Sequence, residues 1–339
     1  MSAAHIATIA RLELTQRLRS VGWYILLGVF ALLLVGITAL AFMVYSWGDA
    51  IGAGVYSIIV NVVLLLVVLV SPTLSGNAIN GDREAATLAA IQVTAASTGD
   101  IMLGKLLAAI ATGGAFLLVA LPFLAIGLLG GGANALVLLV SLLILAVEIV
   151  IVATIGVGLS GIIARPLFSV AATYLVVAAL TIGTLIVFGL GGAALRSEAT
   201  SYSRPYDTNG EVDCDEWETY TYEVPRFDRV WWALAANPFV VLADATPTEF
   251  NDDGYPVDMF GQIKFGVRAA QQSPVEQRWD ECAGDYGDMR TPEEVMQGTV
   301  PSWFVGLGIQ ILIAGGLFAG AWSRTRTPAR RLPPGTRIA

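Results

Sequence analysis

Residues 99–106 come close to forming a phosphate-binding loop. They read Gly-Asp-Ile-Met-Leu-Gly-Lys-Leu, which follows the pattern GxxxxGK[ST] up to its last position. Leu106 has no hydroxyl group to place on Mg²⁺, no strand precedes the segment, and an apolar stretch follows it directly. We interpret the segment as the start of a membrane helix, with Lys105 extending its ammonium group toward lipid phosphates. We therefore expect no nucleotide site in this chain.

The histidine and acid content excludes other kinds of active site. His5 is the only histidine, so a Ser-His-Asp or Cys-His hydrolase in the polar 191–302 segment and an HExxH metal site are both excluded. Acid clusters such as Asp213, Asp215 and Glu216 lack the Gly and the terminal Glu of a Ca²⁺-binding EF-hand loop. We interpret these acids as solvated negative surface, and expect neither a cofactor nor enzymatic activity in this chain.

Glu148 is the acid that lies deep within an apolar stretch. A charge at the middle of a bilayer costs about 2.5–3.5 kcal/mol, so this side chain must face a helix interface or a wet cavity, or stay protonated. Polar residues at similar depth are its candidate partners: Asn61, Gln310, Thr154 and Thr184. Two roles remain open for Glu148, a proton relay or substrate contact and a neutral structural hydrogen bond.

The elements that position these residues must be membrane helices. The 339 residues are 55% hydrophobic and only 14% charged, which leaves too few polar side chains to cover a soluble enzyme or a nucleic-acid-binding protein of this size. Apolar runs of about 18 residues or more can cross a bilayer, and lipid requires them to be helical. Six such runs are predicted, at 23–45, 55–74, 101–129, 135–159, 167–190 and 303–322.

The distribution of Lys and Arg orients these spans. The N-terminus, the 75–100 loop with Lys105 just beyond it, the 160–166 loop and the C-terminal tail together hold eleven basic residues and four acidic ones. By the positive-inside rule both termini are cytoplasmic in a multi-pass plasma-membrane protein, and the acidic 191–302 segment lies outside. Residues 11–41 also fit a secretory signal peptide ending in Ala-Leu-Ala, an alternative that leaves the remaining topology unchanged.

The two cysteines, Cys214 and Cys282, both lie in the 191–302 segment. Thiols outside the cytoplasm oxidise and persist as disulfides. We therefore expect a disulfide between them, which would stabilise the segment by about 4 kcal/mol in the chain-entropy model. Two unpaired thiols are the alternative.

Two cytoplasmic elements are predicted near the first three spans. Before the first span, an amphipathic helix that can lie in the membrane interface is predicted from apolar residues at helical spacing: Ile6, Ile9, Ala10, Leu14, Leu18 and Val21. In the 75–105 loop, Asn80 or Asp82 can cap a short helix. The remaining face of that helix is small and apolar, which suits docking in a groove of another protein: Ala85, Ala86, Leu88, Ala89 and Ile91.

Two motifs around this loop resemble a known family. Residues 81–88 read Gly-Asp-Arg-Glu-Ala-Ala-Thr-Leu, and residues 100–107 read Asp-Ile-Met-Leu-Gly-Lys-Leu-Leu. An R-E-x-x-T-L segment followed at this interval by G-K before the third span resembles the pattern of type-2 ABC-transporter permeases. Residues 237–244 (Asn-Pro-Phe-Val-Val-Leu-Ala-Asp) and 330–337 (Arg-Arg-Leu-Pro-Pro-Gly-Thr-Arg) also look like actinobacterial members of that family.

The resemblance implies a half-transporter, in which two permease copies, identical or related, each sit on a cytoplasmic ATP-binding subunit. ATP and Mg²⁺ would bind that partner, and closure of the two ATPases would rock the rigid spans in alternating access. The family's coupling helix, between the second and third spans, corresponds here to Asp82, Arg83, Glu84 and Thr87. The long acidic 191–302 insert departs from many relatives, so the resemblance does not identify the substrate.

These observations predict an all-α integral membrane protein with six transmembrane helices, an N-terminal amphipathic helix and a mixed extracytoplasmic segment between helices 5 and 6. Its predicted parts are a transmembrane domain at 1–190 that includes the coupling loop 76–105, the acidic segment 191–302, and the last helix with a basic tail at 303–339. Within the segment, aromatic runs at 230–236 and 239–242 are too short to cross and predict a re-entrant or interface-lying element.

The predicted function is that of the membrane subunit of an ATP-driven exporter that moves a hydrophobic or amphipathic substrate outward. The expected partners are cytoplasmic ABC ATPase subunits, a second permease copy and membrane lipid, and not nucleic acid. Two other functions remain open. One is a membrane-anchored sensor or assembly scaffold with a disulfide-tied ectodomain, and the other is a proton-coupled secondary transporter that uses Glu148.

Overall fold

Six helices of this protein are long and apolar enough to cross a membrane. The computed structural model describes residues 1–46, 51–85, 96–131, 134–206, 210–274, 276–283 and 290–325, and the six helices are counted within these ranges. They are α2 (Val21–Tyr45), α3 (Ile51–Ser75), α5 (Thr98–Leu129), α6 (Ala135–Ile162), α7 with α8 (Pro166–Ala178 and Thr184–Ala194), and α13 (Trp303–Thr325). The prediction of a mainly helical, multi-pass membrane protein is confirmed at this level.

Each spanning helix extends beyond the apolar run that predicted it, because backbone hydrogen bonding continues until a cap or a breaker intervenes. At the start of α5, the Ser97 hydroxyl accepts from the Asp100 backbone N–H, and the Asp100 carboxylate accepts from the Ser97 N–H. This capping box starts the helix three residues before the predicted run. Pro166 starts α7, since the first helical turn does not need its missing N–H.

The fifth spanning helix contains a π-helical turn, Ala179–Gly183, between α7 and α8. Such a turn releases backbone carbonyl groups from the regular hydrogen-bond pattern. Asn237 uses one of them: its Nδ2 donates to the Thr181 carbonyl at 2.7 Å and to the Thr184 hydroxyl at 3.0 Å. The apolar pattern of residues 167–190 gives no indication of this turn, because a π turn requires no particular residue type.

The chain divides into two compact units, and the spanning helices α7–α8 and α13 each contribute to both. The first unit comprises Met1–Leu180 and the described chain from Leu307 onward. The second unit is Thr181–Gly306, which contains the acidic 191–302 segment together with the adjoining turns of the two helices.

In the first unit, α3 is the most enclosed of the spanning helices and packs against α2, α5 and α6. A buried apolar cluster connects α5, α6 and α13 with the chain that follows α3. Its members are Ile79, Ile101, Met102, Ala109, Ala153, Val157 and Ala321. Because Ile79 belongs to this cluster, the chain just after α3 is part of the core of the unit.

The N-terminal helix α1 (Ala3–Leu18) packs lengthwise against α5. Of its predicted apolar stripe, Ile6, Ile9 and Leu14 are half-buried, whereas Leu18 is exposed. Ile9 contacts the buried cluster described above. The predicted helix is therefore present and docked on the bundle, and its location in the membrane interface stays a prediction.

The second unit contains a small sheet with strand order β2-β1-β3. Its strands are β1 (Arg196–Ser203), β2 (Glu218–Pro225) and β3 (Gln277–Trp279). The central strand β1 runs antiparallel to β2 and parallel to β3, with Ser201 opposite Tyr220 on one side and Gln277 on the other. The predicted mixed segment is thus partly β structure.

The described part of the second unit also contains a 3-10 turn at Phe227–Arg229 and the short α-helices α9 (Trp231–Ala235), α10 (Pro238–Ala245), α11 (Met259–Ala269) and α12 (Pro292–Gln297). Helix α10 packs on α11 around a core of Leu234, Val240 and Val267. The aromatic runs predicted to be re-entrant or interface-lying form α9 and α10, which bury much of their apolar surface inside this unit. Their position relative to a membrane stays a prediction.

Candidate functional site

A buried lysine connects the chain after α3 to two other elements. Lys105 of α5 is 2% exposed, and its ammonium group contacts the carboxylate of Glu13 on α1 and that of Asp82 at 2.6 Å. Asp82 belongs to the five-residue helix α4 (Asn80–Glu84). The prediction that Lys105 extends toward lipid phosphates is therefore wrong, because two carboxylates of the chain itself receive its charge.

Helix α4 is also fixed to the end of α6. The Ser160 hydroxyl accepts from the backbone N–H groups of Ile79 at 2.8 Å and Asn80 at 3.1 Å, and donates to the Asn80 side-chain oxygen at 3.0 Å. The Asn80 amide donates in turn to the Ile163 carbonyl at 3.2 Å. Neither Asn80 nor Asp82 caps α4 as predicted, because both side chains are engaged with other helices. We call Glu13, Asp82, Lys105, Asn80 and Ser160 the loop anchor.

Arg17 strengthens the attachment of α1 to the bundle. Its guanidinium group donates to the Thr112 hydroxyl of α5 and to the Leu74 carbonyl near the end of α3, each at 2.8 Å. Burial lowers the pKa of Arg17, and the nearby Glu13 carboxylate opposes that effect. Helix α1 is thus fastened to the bundle through Arg17 as well as through Glu13.

The residues assigned to coupling occupy different positions around the loop anchor. Asp82 lies inside the anchor, Arg83 is half-buried and Glu84 is exposed. Thr87 lies outside the described residues, as do four of the five members of the small apolar face. The coupling role of Asp82, Arg83 and Glu84 stays a prediction.

Glu148 and Gln310 meet between α6 and α13. Both side chains are fully buried, and Gln310 is the polar side chain that interacts with the Glu148 carboxyl group. Further along the same two helices, Gly158 allows close packing, because a Cβ atom there would lie 2.9 Å from the backbone of Leu317. Neither carboxyl oxygen makes a hydrogen bond of good geometry.

The other predicted partners of Glu148 form hydrogen bonds elsewhere. The Asn61 amide donates to the Ser57 carbonyl at 2.8 Å, and the Thr154 hydroxyl donates to the Val150 carbonyl at 2.6 Å, both one turn back in their own helices. Thr184 binds Asn237 in the second unit. Of the four candidates, Gln310 is therefore the one that the structure brings to Glu148.

The predicted disulfide between Cys214 and Cys282 is confirmed. Close to it, the guanidinium group of Arg204 forms a two-pronged ion pair with Asp280 at 3.1 and 3.2 Å. The Trp217 ring is held between two guanidinium groups, with its centroid 3.8 Å from Arg204 and 4.3 Å from Arg278. Covalent and cation–π contacts together fix the chain around β3 to the end of β1.

Within the second unit, a buried carboxylate that the sequence did not single out connects α10 and α11 to the start of α13. Asp244 accepts from Arg268 Nε at 2.7 Å, and its second oxygen accepts from the Ser302 hydroxyl at 2.9 Å and the Trp303 backbone N–H at 2.9 Å. An acid at a helix N-terminus is favoured by the helix dipole. Asp244 ends the 237–244 motif, and this was the signal that could have identified it.

Helix α11 carries a buried charge beside this network. Lys264 donates to the Thr246 carbonyl at 2.6 Å. Burial lowers the pKa of Lys264 to about 8, although Asp244 opposes the effect. Burial also raises the pKa of Asp258 to about 6, against the hydrogen bond from the Gly261 backbone N–H. In both groups burial disfavours the charged form, so the folded unit holds these side chains against a desolvation cost.

Among the described residues, no three His, Cys, Asp or Glu side chains are grouped as metal ligands would be. In comparisons with known proteins, no family model and no curated sequence matches this chain. Candidate functions therefore depend on the geometry above and on the motifs of the sequence.

Proposed function

We propose that this chain is the membrane-spanning permease subunit of an ATP-driven exporter of the type-2 ABC class. In this proposal two copies, identical or related, sit on cytoplasmic ATPase subunits that bind ATP and Mg²⁺, and the pair moves a hydrophobic or amphipathic substrate outward. The observation that carries the proposal is the loop anchor, which fastens α4 to α1 through Asp82, Lys105 and Glu13, and to α6 through Asn80 and Ser160.

The loop anchor supports a mechanical role because a push on α4 cannot be absorbed locally. An ion pair with a buried ammonium group and hydrogen bonds to a buried hydroxyl resist separation, since breaking either would leave a buried polar group unpaired. Displacement of α4 is therefore passed to α5 through Lys105 and to α6 through Ser160. Ile79, directly before α4, belongs to the apolar cluster and moves with these helices.

Glu84 is the residue of α4 that we expect a partner subunit to contact. It is exposed at the end of the anchored helix, and it is the acid of the R-E-x-x-T-L motif. An acidic side chain on a small rigid helix suits contact with a basic surface of an ATPase. When the partner closes on ATP, it shifts the equilibrium between two arrangements of the spanning helices. This shift between two states is how alternating access works.

Purification of the complete protein from its native host in mild detergent tests this proposal. We expect the wild-type chain to carry an ATP-hydrolysing subunit whose activity is abolished by vanadate. Glu84→Arg should remove most of that activity from the preparation, because it reverses the charge at the contact. Glu216→Arg is the matched control, since Glu216 is also an exposed acid but lies in the 191–302 segment.

A wild-type preparation that contains no ATP-hydrolysing subunit would contradict the proposal. Equal activity in the Glu84→Arg and Glu216→Arg preparations would contradict the assignment of the contact to α4.

The buried Glu148 favours a second candidate function, proton-coupled transport without ATP. A carboxyl group inside a membrane bundle is expensive and is commonly used for ion or proton movement, and Glu148 is fully enclosed beside Gln310. The test is substrate flux in vesicles that lack ATP. Flux that persists there, and that an uncoupler and Glu148→Gln both abolish, would favour this candidate over the ATP-driven exporter.

A further inference from the structure

An apolar groove of about 320 Å³ opens on the Thr181–Gly306 unit. This volume lies within the range of about 300–1,000 Å³ that is typical of small-molecule sites. Its walls come from α8, from the chain at the end of β2 and from α11, and they are Phe188, Pro225, Phe227, Gly266, Ala269 and Ala270. The lining is mainly apolar, and Gln272 is the polar side chain among these residues.

The aromatic residues of the groove are fixed by contacts with α8 and with the core of the unit. Phe227 lies directly on Gly192 of α8, where a Cβ atom would come within 2.0 Å of its ring. The Arg226 backbone N–H donates to the Gly192 carbonyl at 3.1 Å and to the Leu195 carbonyl at 2.7 Å. Phe188 packs on Phe227 with ring centroids 5.0 Å apart and reaches the buried core of the unit. The groove is thus a formed feature with fixed walls.

The charges next to Phe227 do not enter the groove. The guanidinium group of Arg226 and the carboxylate of Asp228 form two hydrogen bonds with each other, at 2.8 and 2.6 Å. This pairing lowers the pKa of Asp228 and raises that of Arg226. Because the two side chains pair with each other and do not line the groove, they leave its mainly apolar surface to an occupant.

The position of the groove along the membrane helix indicates what fills it. Phe188 lies about 9 Å along the helix axis from Ala194, the last residue of the fifth spanning helix, at 1.5 Å per residue. On the same helix, Leu185 and Leu190 are exposed, as expected of side chains that face lipid. A mainly apolar groove favours an apolar occupant over water. The apolar molecule abundant at that depth is the acyl chain of a lipid.

We propose that this groove binds an acyl chain of a membrane phospholipid. The inference needs only that the fifth helix crosses a bilayer, and it does not depend on ATP-driven transport. Gly266 lines the groove and has no atom within 4 Å of the position of a Cβ. A larger side chain at this position would project into the space that the chain occupies.

The test is photo-cross-linking of the complete protein, reconstituted in phosphatidylcholine vesicles that contain a lipid with a diazirine on its acyl chain. Adducts are mapped by mass spectrometry and expressed relative to adducts on α2, whose apolar face is exposed. We expect wild-type adducts on the groove residues. Gly266→Leu should lower their relative yield about tenfold, because added methylene groups overpack an occupied site.

Gly189→Leu is the matched control, because Gly189 is also a helical glycine with no atom within 4 Å of a Cβ but is not part of the groove. Ala270→Leu provides a second filling variant, whose fold is checked by its thermal unfolding midpoint. Equal groove labelling in wild type and in a folded filling variant would overturn the proposal. So would wild-type adducts on α2 with none on the groove residues.

Discussion

Lys105 and Asp82 lie 2.6 Å apart, although one belongs to a spanning helix and the other to the short helix that follows the preceding span. The ammonium group is buried and is shared with Glu13 of α1. One side chain thus fixes three elements, two of which, α4 and α5, are separated in the sequence by residues 85–97. Because of this shared ion pair, α4 forms a rigid extension of the helix bundle.

Removing the Lys105 charge should destabilise the protein. Lys105→Met leaves the Glu13 and Asp82 carboxylates together without a cation, and we expect a loss of about 3 kcal/mol. Thermal unfolding in detergent measures this loss. The triple variant Lys105→Met, Glu13→Gln, Asp82→Asn should recover much of the stability, because it removes the unpaired charges as well. If the single and triple variants unfold at the same temperature, the ion pair does not hold α4 in place.

The second unit should lose stability as the pH rises through the range in which Asp258 titrates. Its pKa is raised from 3.8 to about 6 in the folded protein, so the folded state binds the proton more tightly than the unfolded state does. The stabilisation is fully present below pH 3.8 and is lost as the pH rises through about 6, with a magnitude on the order of 3 kcal/mol.

Asp258→Asn removes the titrating group and keeps an oxygen that can accept from the Gly261 backbone N–H. The measurement is the unfolding midpoint of wild type and variant at a series of pH values from about 4 to about 7. The wild-type midpoint should fall relative to that of the variant across this range. A constant difference between the two would show that Asp258 is not buried as described.

Reduction should destabilise the 191–302 segment. The Cys214–Cys282 bond spans 68 residues, and in the chain-entropy model its loss costs about 4 kcal/mol. We expect a reducing agent to make residues 196–225 and 276–283 more susceptible to limited proteolysis, and α5 and α6 to remain protected. The variant with Cys214→Ser and Cys282→Ser should be equally susceptible with and without the reducing agent. Protection of the reduced wild type would contradict this prediction.

The spans and the disulfide could be predicted because each depends on a local property of the sequence. A run of apolar residues must be helical in lipid wherever it lies, and two cysteines in one polar segment permit a single pairing. The helix boundaries were less accurate, because caps such as Ser97 with Asp100 extend a helix beyond its apolar run.

The tertiary partners could not be predicted from residue type alone. Lys105 lies at the start of a predicted spanning helix, where a lysine commonly reaches lipid headgroups. Only the packing of α1 and α4 on α5 brings the two carboxylates to it. Asn61 was an equally good candidate partner for Glu148 by depth, but its amide instead bonds to its own helix. The apolar groove uses small residues of α11 that resemble any helix surface in the sequence.

The most direct test of the proposed function is photo-cross-linking from Glu84 in native membranes. A photo-reactive amino acid is placed at position 84, and at position 216 as a control, and the products are identified by mass spectrometry with and without ATP. Our account predicts a product that joins position 84 to a nucleotide-hydrolysing subunit, that changes in yield with ATP and that is absent from position 216. Products at position 84 that contain only lipid, or that match those of the control, would contradict it.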